Sequence, residues 1–316
     1  MPAIDVLIIG GGVVGLAAAW RLAAAGAAAT LVDAGLPAAS DAAAGMLAPS
    51  FEHALKAGAP LEALARASLS AWPGFAQAVE EASGESIDLD LSGILEVAFT
   101  EEEAAALGAG ALSARAAAQI APGLSALARA ARLGEGEGQV DARRLRRALE
   151  KAFQNAGGSL VRGSRIVSVE RCGDGLRALG ADGGAFRAAR VVAASGVRGI
   201  PGASLPEGAL YPVKGEALAL ARSAGGPSRV IRATGAYLCP KSDGRIVVGA
   251  SEAPRDWSIT ADAKRVAALR AGDARRALTI AETEVAALKG GREKLCAKLI
   301  GTLVVLAGRP DLPQAG

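Results

Sequence analysis

Short apolar runs punctuated by glycine organise the start of the chain. Ile4-Asp5-Val6-Leu7-Ile8-Ile9 is apolar and rich in β-branched residues, the pattern of a buried parallel strand. Leu16 to Ala28 is alanine-rich with Arg21 as its only charge, and it reads as a helix. Thr30-Leu31-Val32, ending in Asp33, is a second strand, so the opening is a βαβ unit. Leu61 to Ala82 is helical, with Trp72-Pro73 as an internal boundary. Ile87 to Leu91 alternates like a half-buried strand, and Gly93 to Phe99 is its expected hairpin partner. Thr100 followed by three glutamates opens a helix reaching about Leu107. The glycine-rich stretch 134–140 is a fair domain crossing, and Asp141 then caps a strongly amphipathic helix to about Asn155. One face of that helix is basic and reads as a solvated surface.

Three strands follow, at Ser159–Val161, Ile166–Glu170 and Arg190–Gly196, the last ending in a glycine turn. From Tyr211 the pattern becomes antiparallel. Gly215 to Ala221 is a strand, and Ala236–Pro240 and Arg245–Gly249 flank the turn Lys241–Gly244 as a hairpin. Thr260 caps a helix over 261–270. The expected architecture is α/β: a parallel αβ domain, split in sequence, with an inserted antiparallel β-rich domain.

The junction between the first strand and helix carries chemistry. Gly10-Gly11-Gly12-Val13-Val14-Gly15 fits G-x-G-x-x-G. Gly10 permits the tight turn, Gly12 lets backbone approach a pyrophosphate, and Gly15 lets helix and strand pack closely. The helix N-terminus offers unpaired N–H groups and a positive dipole end to phosphates. Asp33 ends the second strand, where a carboxylate accepts hydrogen bonds from ribose hydroxyls. An ordinary glycine-rich turn has similar glycines, but here the strand, the helix and the acid are all in place. The motif leaves NAD and FAD equally open. Small residues at Ala42–Pro49 are compatible either with backbone against a ligand or with a plain helix start. The turn after Ala194 is a second place of close approach.

Composition narrows the class. The 316 residues suit two domains, and 51% hydrophobic with 21% charged residues describes a globular chain. Alanine is so abundant that it flattens periodicity. The net charge is +3, with basic residues scattered and no aromatic-interleaved basic patch, which argues against nucleic acid. No run is long and apolar enough to span a membrane, and Val6 to Trp20 lacks the positive flank of a signal peptide. Cys172, Cys239 and Cys296 are far apart and odd in number, as expected of reduced thiols in the cytoplasm. His53 is the only histidine, which argues against a histidine-rich metal site and a Ser-His-Asp mechanism.

The chain resembles the FAD-dependent amine and amino-acid oxidases of the D-amino-acid oxidase type, the glycine oxidases of thiamine biosynthesis among them. The resemblance rests on Gly10–Gly15 with Asp33, Ala43–Leu47, Gly93–Glu103, Gln139–Asp141, Val191–Val197, Pro212–Glu216, Tyr237–Ala250 and Asp256–Ser258, in family order. It covers roughly residues 4 to 265 and makes FAD the choice over NAD. It implies an FAD-binding domain of residues 1–85 and 135–210, and a substrate domain of 86–134 and 211–284. Gly10, Gly12, Val13, Val14 and Gly15 would hold the FAD pyrophosphate, and Asp33 and Ala34 the adenosine ribose. Ala44, Gly45 and Met46 would lie along the flavin, and Ile166 would meet the adenine through its backbone. Tyr237 would place its hydroxyl on the substrate carboxylate; on spacing alone it is an ordinary hairpin tyrosine. The implied reaction is oxidative deamination of glycine or a related small amine, with oxygen as acceptor. Its products are an oxo acid, ammonia and hydrogen peroxide. Family members are often homo-oligomers, so self-association is expected too.

The resemblance fades after about Glu284, leaving 285–316 as a divergent tail. Ala307-Gly308-Arg309-Pro310 is similar to the family's Arg-Pro motif, so Arg309 is the expected carboxylate arginine. A shortened chain and a divergent member both remain open. Two other readings stand beside the oxidase: a sarcosine or D-amino-acid dehydrogenase of the same fold, and an inactive FAD-fold protein.

Overall fold

The computed structural model describes residues 4–51, 59–203, 205–222 and 226–269, and the backbone of 297–301. His53, Cys296, Arg309 and most of the expected tail lie outside the described residues.

The chain opens with β1 (Ile4–Ile9), α1 (Val13–Ala24) and β2 (Ala29–Asp33). Next come β3 (Met46–Leu47), α2 (Ala59–Ser83), β4 (Ile94–Ala98), α3 (Glu101–Ala106), β5 (Leu112–Ser113) and α4 (Ala114–Ile120). β6 (Ala130–Gly134), β7 (Gly138–Gln139) and α5 (Ala142–Asn155) lead into β8 (Ser159–Arg162), β9 (Ile166–Cys172), β10 (Gly175–Gly180) and β11 (Ala185–Ala193). The rest is β12 (Val213–Ala221), β13 (Val230–Ala233), β14 (Ala236–Pro240), β15 (Arg245–Gly249), β16 (Ala253–Pro254), α6 (Ala263–Ala268) and β17 (Ala297–Gly301).

Two large sheets carry the architecture. The first runs β8-β2-β1-β11-β10-β9. Its β8, β2, β1 and β11 are parallel, and β10 and β9 continue it antiparallel. β1 is covered on both faces, which explains its unbroken apolar run. Val6 and Ile8 meet Leu16 and Trp20 of α1 and Leu145, Leu149 and Phe153 of α5. Leu7 and Ile9 face the other way, toward Ile166, Ala178 and Ala188. This is a Rossmann-type α/β arrangement, as the sequence pattern predicts.

The second sheet runs β16-β12-β15-β14-β13-β4-β6-β5, with β17 also on β12. One face buries Leu95, Leu218, Ile231, Leu238 and Val248 against residues such as Ala117 of α4. The opposite face buries Ile94, Ala217, Val230, Cys239 and Val247 against Ala42, Ala44, Ala48 and Phe51. Alternate residues of each strand serve the two faces, as a pleat requires. The second face therefore lies against the segment that leaves β2.

Several expectations are corrected. α1 starts three residues earlier than its apolar pattern suggests, because the Gly12 carbonyl already accepts from the Leu16 amide at 2.9 Å. α2 runs unbroken through Pro73. Trp72 and Phe75 stack edge to face at 5.4 Å and Phe75 meets Trp20 at 5.9 Å, so both halves are held on one core. Ile87–Leu91 forms no hairpin with β4. Asp88 is left-handed at φ 60°, and Asp90 instead bridges to Gln139 while β4 pairs with β6 and β13. α6 is capped by Asp262, which accepts from the Lys264 and Arg265 amides, rather than by Thr260.

The basic face of α5 is not simply solvated. Arg146 donates to the Gly11 carbonyl at 2.9 Å and to Asp41 at 2.8 Å, Arg143 donates to the Asp41 carbonyl, and Arg147 pairs with Glu85. The cap of α5 also reaches across. Asp141 Oδ1 accepts from the Arg143 and Arg144 amides at 3.0 Å, and Oδ2 accepts from Arg245 of β15 at 2.6 Å. Burial pushes its carboxyl up, but the Arg144 amide and the charges of Arg245 and Lys241 outweigh that and hold it below the usual carboxylate value. A carboxyl lowered by folding stabilises above its unfolded pKa, and that stabilisation is lost as pH falls through the folded value. Asp141→Asn keeps a competent cap and loses the charge. It should cost roughly 1.5–3 kcal/mol at neutral pH, the worth of a charge-assisted bond. The gap to wild type should close as pH falls through and below the usual carboxylate range, as read from urea midpoints at several pH values.

Candidate functional site

β1 ends at Ile9 and the backbone turns at once. Gly10 takes φ +110°, and a Cβ on it would sit 2.4 Å from the Ala194 carbonyl oxygen, so both the turn and the contact with the end of β11 require glycine. A Cβ on Gly15 would sit 1.9 Å from the Gly10 carbonyl oxygen, so α1 reaches its place only with glycine there. Gly12 differs. A Cβ there would meet only Ser40 Oγ, at 3.4 Å, so the protein itself has room for one. What lies before Gly12 is a cavity of about 730 Å³.

Gly10, Gly12, Val13, Val14, Asp33, Ala34 and Ile166 all line this cavity, with Gly15 in the turn of α1 behind them. Asp33 Oδ2 accepts from the Gly11 amide at 2.7 Å and Oδ1 from the Gly35 amide at 2.8 Å. Each oxygen keeps a further lone pair for a ligand hydroxyl. Ser195 Oγ, also in the lining, is buried with no hydrogen-bond partner among the described residues, an unmet polar group of the kind a ligand satisfies. Val14 is 72% and Trp257 58% exposed, and with Leu36, Val167 and Ile200 they form apolar walls of the same cavity. Exposed apolar surface in a concavity marks a site for a largely apolar or aromatic ligand. Helix start, open Gly12, a carboxylate with lone pairs to spare and apolar walls fit a dinucleotide.

Ala44, Gly45 and Met46 lie outside that lining and belong to the second sheet's inner face. Gly45 is left-handed at φ +81°, its carbonyl accepts from the Val140 amide at 2.9 Å, and a Cβ would come within 2.0 Å of the Val140 oxygen. Met46 pairs with Gln139. Tyr237 of β14 packs in one apolar cluster with Met46, Ala44, Ala48 and Phe51, and its ring lies over Gly249, where any Cβ would strike the phenol. The structure thus brings Tyr237 together with the 44–46 segment, and gathers the glycine loop, Asp33 and Ile166 in the cavity. Arg309 lies outside the described residues. Cys239, two residues from Tyr237, is fully buried and its thiol is pushed up to about 12, which makes it inert.

Two lysines escape a reading of periodicity. Lys241 sits in what reads as a polar turn, yet it is buried and donates to the Ala44 carbonyl at 2.7 Å, Gln139 Oε1 at 2.8 Å and the Val140 carbonyl at 3.1 Å. Lys214, in the Pro-Val-Lys-Gly stretch, is buried 3.4 Å from fully buried Glu216. Its amine also reaches Asp256 at 3.2 Å, Ser258 Oγ at 2.8 Å and the Thr260 carbonyl at 2.7 Å. The Ser258 hydroxyl and amide, then Lys214 and Arg265, hold the Asp256 carboxyl far below its usual value. Lys214 thereby fixes both neighbours of Trp257 at the cavity wall. Ser195 carries no sequence signal beyond its place beside a glycine turn, and Ser40 carries none.

The fold and the cavity define a dinucleotide-binding α/β protein. Residues 5–287 match the model of the FAD dependent oxidoreductase family (DAO). Glycine oxidase of Geobacillus kaustophilus is 34% identical over 275 residues, 79% of this chain and 70% of that protein. The bifunctional protein ThiO/ThiG of Synechocystis is 32% identical over 262 residues, covering 80% of this chain and 39% of that one. The crystal structure of the Geobacillus kaustophilus glycine oxidase superposes with a TM-score of 0.78 at 30% identity, covering 87% of this chain and 78% of that one. The protein belongs to the FAD dependent oxidoreductase family, and its cofactor is FAD. Among the described residues no helix is long and apolar enough to cross a membrane.

Asp33→Ala removes the one carboxylate in the described lining of the cavity. FAD affinity, measured by fluorescence titration of the apoprotein, should fall by roughly 1–3 kcal/mol. An unchanged affinity would remove Asp33 from the cofactor site.

Proposed function

We propose that the protein is an amino-acid oxidase acting on glycine or a closely related small amine, in the setting of thiamine biosynthesis. The observation that carries this reading is the packing of Tyr237 with Ala44 and Met46 on the inner face of the second sheet. That face carries the hairpin on which the resemblance to glycine oxidases is most specific. The similarity to two proteins named for glycine oxidase and ThiO supports the same choice.

In this reading the glycine loop, Asp33, Ala34 and Ile166 hold the nucleotide half of FAD, and Ala44 to Met46 lie along its flavin. Bound FAD supplies the two-electron acceptor, and oxygen returns it to its resting state. The chain's own part is binding and orientation, which alone can supply much of the rate. The Tyr237 hydroxyl donates to the substrate carboxylate. The ring packs against the same cluster as Met46 and lies over Gly249, which limits where the hydroxyl can sit. The apolar cluster around it excludes water and strengthens that bond. An amine substrate deprotonated in the site needs no histidine base, in accord with a chain that has one. The division into an FAD-binding domain of 1–85 with 135–210 and a substrate domain of 86–134 with 211–284 follows the two sheets, and we propose it with the function. Free Cys172 and Cys239 suit a reducing cytoplasm, and a homo-oligomer is the proposed assembly.

Purified protein supplied with glycine and air should yield glyoxylate, ammonia and hydrogen peroxide in equal amounts. Failure to form peroxide while a dye accepts electrons would convert the reading to a dehydrogenase. Tyr237→Phe should raise KM for glycine about tenfold, the worth of one hydrogen bond to a charged group, with flavin content unchanged. Lost flavin instead would make Tyr237 a packing residue.

A further inference from the structure

The glycine-loop cavity is short of positive charge for the ligand it takes. Both phosphates of the FAD diphosphate are ionised at neutral pH, so the group is a dianion. Against it the start of α1 offers a dipole worth roughly half a positive charge. The first turn of α1 has no charged residue, and its Val13 amide already donates to Ser40 Oγ at 3.2 Å. Asp33, the one carboxylate in the described lining, adds a further negative charge. A diphosphate held here needs a cation.

Arg165 and Arg198 line the cavity, and neither guanidinium has a hydrogen bond or an ion pair among the described residues. Their backbones stand on different sides. Arg198 closes a single 3-10 turn, Gly196–Arg198, directly after β11. That turn starts against the glycine loop, since a Cβ on Gly10 would lie 3.3 Å from the Ser195 Cα. The turn is fixed before and behind. The Ala194 amide donates to the Ile9 carbonyl at 2.8 Å, and the Arg198 amide to the Ser195 carbonyl at 3.3 Å. A Cβ on Gly202 would meet the Val169 nitrogen at 3.1 Å, so the chain that follows rests on β9. Arg165 instead follows Gly163, which lies 3.8 Å from the Cβ position of Gly35, and the Gly35 amide donates to Asp33. Arg165 thus belongs to the Asp33 side of the cavity and Arg198 to the glycine-loop side.

We propose that Arg198 is a cofactor-binding residue whose guanidinium pairs with the diphosphate of FAD, together with the start of α1. Its planar fork suits two phosphate oxygens at once. The inference rests on FAD as the cofactor and not on the choice of substrate. It makes the cavity discriminate a diphosphate-bearing ligand from a bare nucleoside. Arg198 is exposed, so its pairing is screened by salt, unlike the contacts of ribose and apolar walls.

The test uses the full chain and reads FAD affinity from flavin fluorescence over a range of salt concentrations, with no turnover. Wild type should bind FAD more weakly as salt rises. Arg198→Gln should bind it roughly tenfold more weakly at low salt, with the gap to wild type closing at high salt. Arg198→Lys keeps the charge and should keep the salt dependence. With ADP and adenosine as competitors for the site, Arg198→Gln should weaken ADP by the same factor and leave adenosine unchanged. Equal FAD affinity in wild type and Arg198→Gln overturns the proposal. So does a loss that is the same at every salt concentration, or one shared by adenosine, which makes Arg198 a packing residue. A loss of ADP affinity in Arg165→Gln but not in Arg198→Gln moves the role to Arg165 and overturns it too. Should Arg198→Gln hold no FAD at all, the wild-type protein decides the matter. Phenylglyoxal labelling of Arg198, mapped by mass spectrometry, should be blocked by ADP and not by adenosine, and labelling indifferent to ADP overturns the proposal. None of these outcomes touches the oxidase reading, which stands or falls on reduction by glycine.

Discussion

One buried amine ties the two halves of the site together. Lys241 is 3% exposed, and its three N–H donors are met by Ala44, Gln139 and Val140. Desolvation lowers its pKa, opposed by Cys239, Asp141 and Asp88. An ammonium taken out of water is tolerated only when its hydrogen bonds are replaced in full, and here they are. The three acceptors belong to the segment leaving β2 and to the crossing into α5, while the lysine belongs to the hairpin bearing Tyr237. The amine thus fixes the spacing between the 44–46 segment and the sheet that faces it. Asp141 and Arg245 brace the same junction from the cap of α5.

Around that tie the molecule divides its labour. The first sheet ends its central strands at a glycine turn, an acid and a serine whose hydroxyl has no partner among the described residues, and all three line one cavity. The second sheet presents an apolar face on which Tyr237 lies over Gly249, packed against the 42–51 segment. Lys214 works at the edge between them. By holding Asp256 and Ser258 it sets Trp257 against the cavity, so a strand of the second sheet shapes a wall of the first sheet's site.

The parts legible in the sequence are those governed by local rules. β1, the glycine loop, Asp33, the Asp141 cap and the Ala236–Gly249 hairpin follow from chirality, strand period and turn chemistry, and each stands where the pattern puts it. The illegible parts depend on partners distant in sequence. Lys241 reads as a solvated turn residue because nothing nearby reveals the carbonyls 101 and 197 positions away that bury it. Ile87–Leu91 alternates like a strand but meets the 137–141 stretch instead, because Asp88 turns left-handed. Alanine blurs the rest, since it fits helix, strand face and core alike. The face that Tyr237 shares with Ala217 and Ile94 needs the pairing of strands distant in sequence, which no single segment encodes.

The central claim is that the cradle and the facing sheet form one working flavin site. The most direct measurement is the visible absorption spectrum of the purified protein before and after anaerobic addition of glycine. The account predicts the two bands of oxidised flavin, bleached by glycine and restored by air. A protein that stays colourless after incubation with FAD, or flavin bands that glycine leaves untouched, would contradict it.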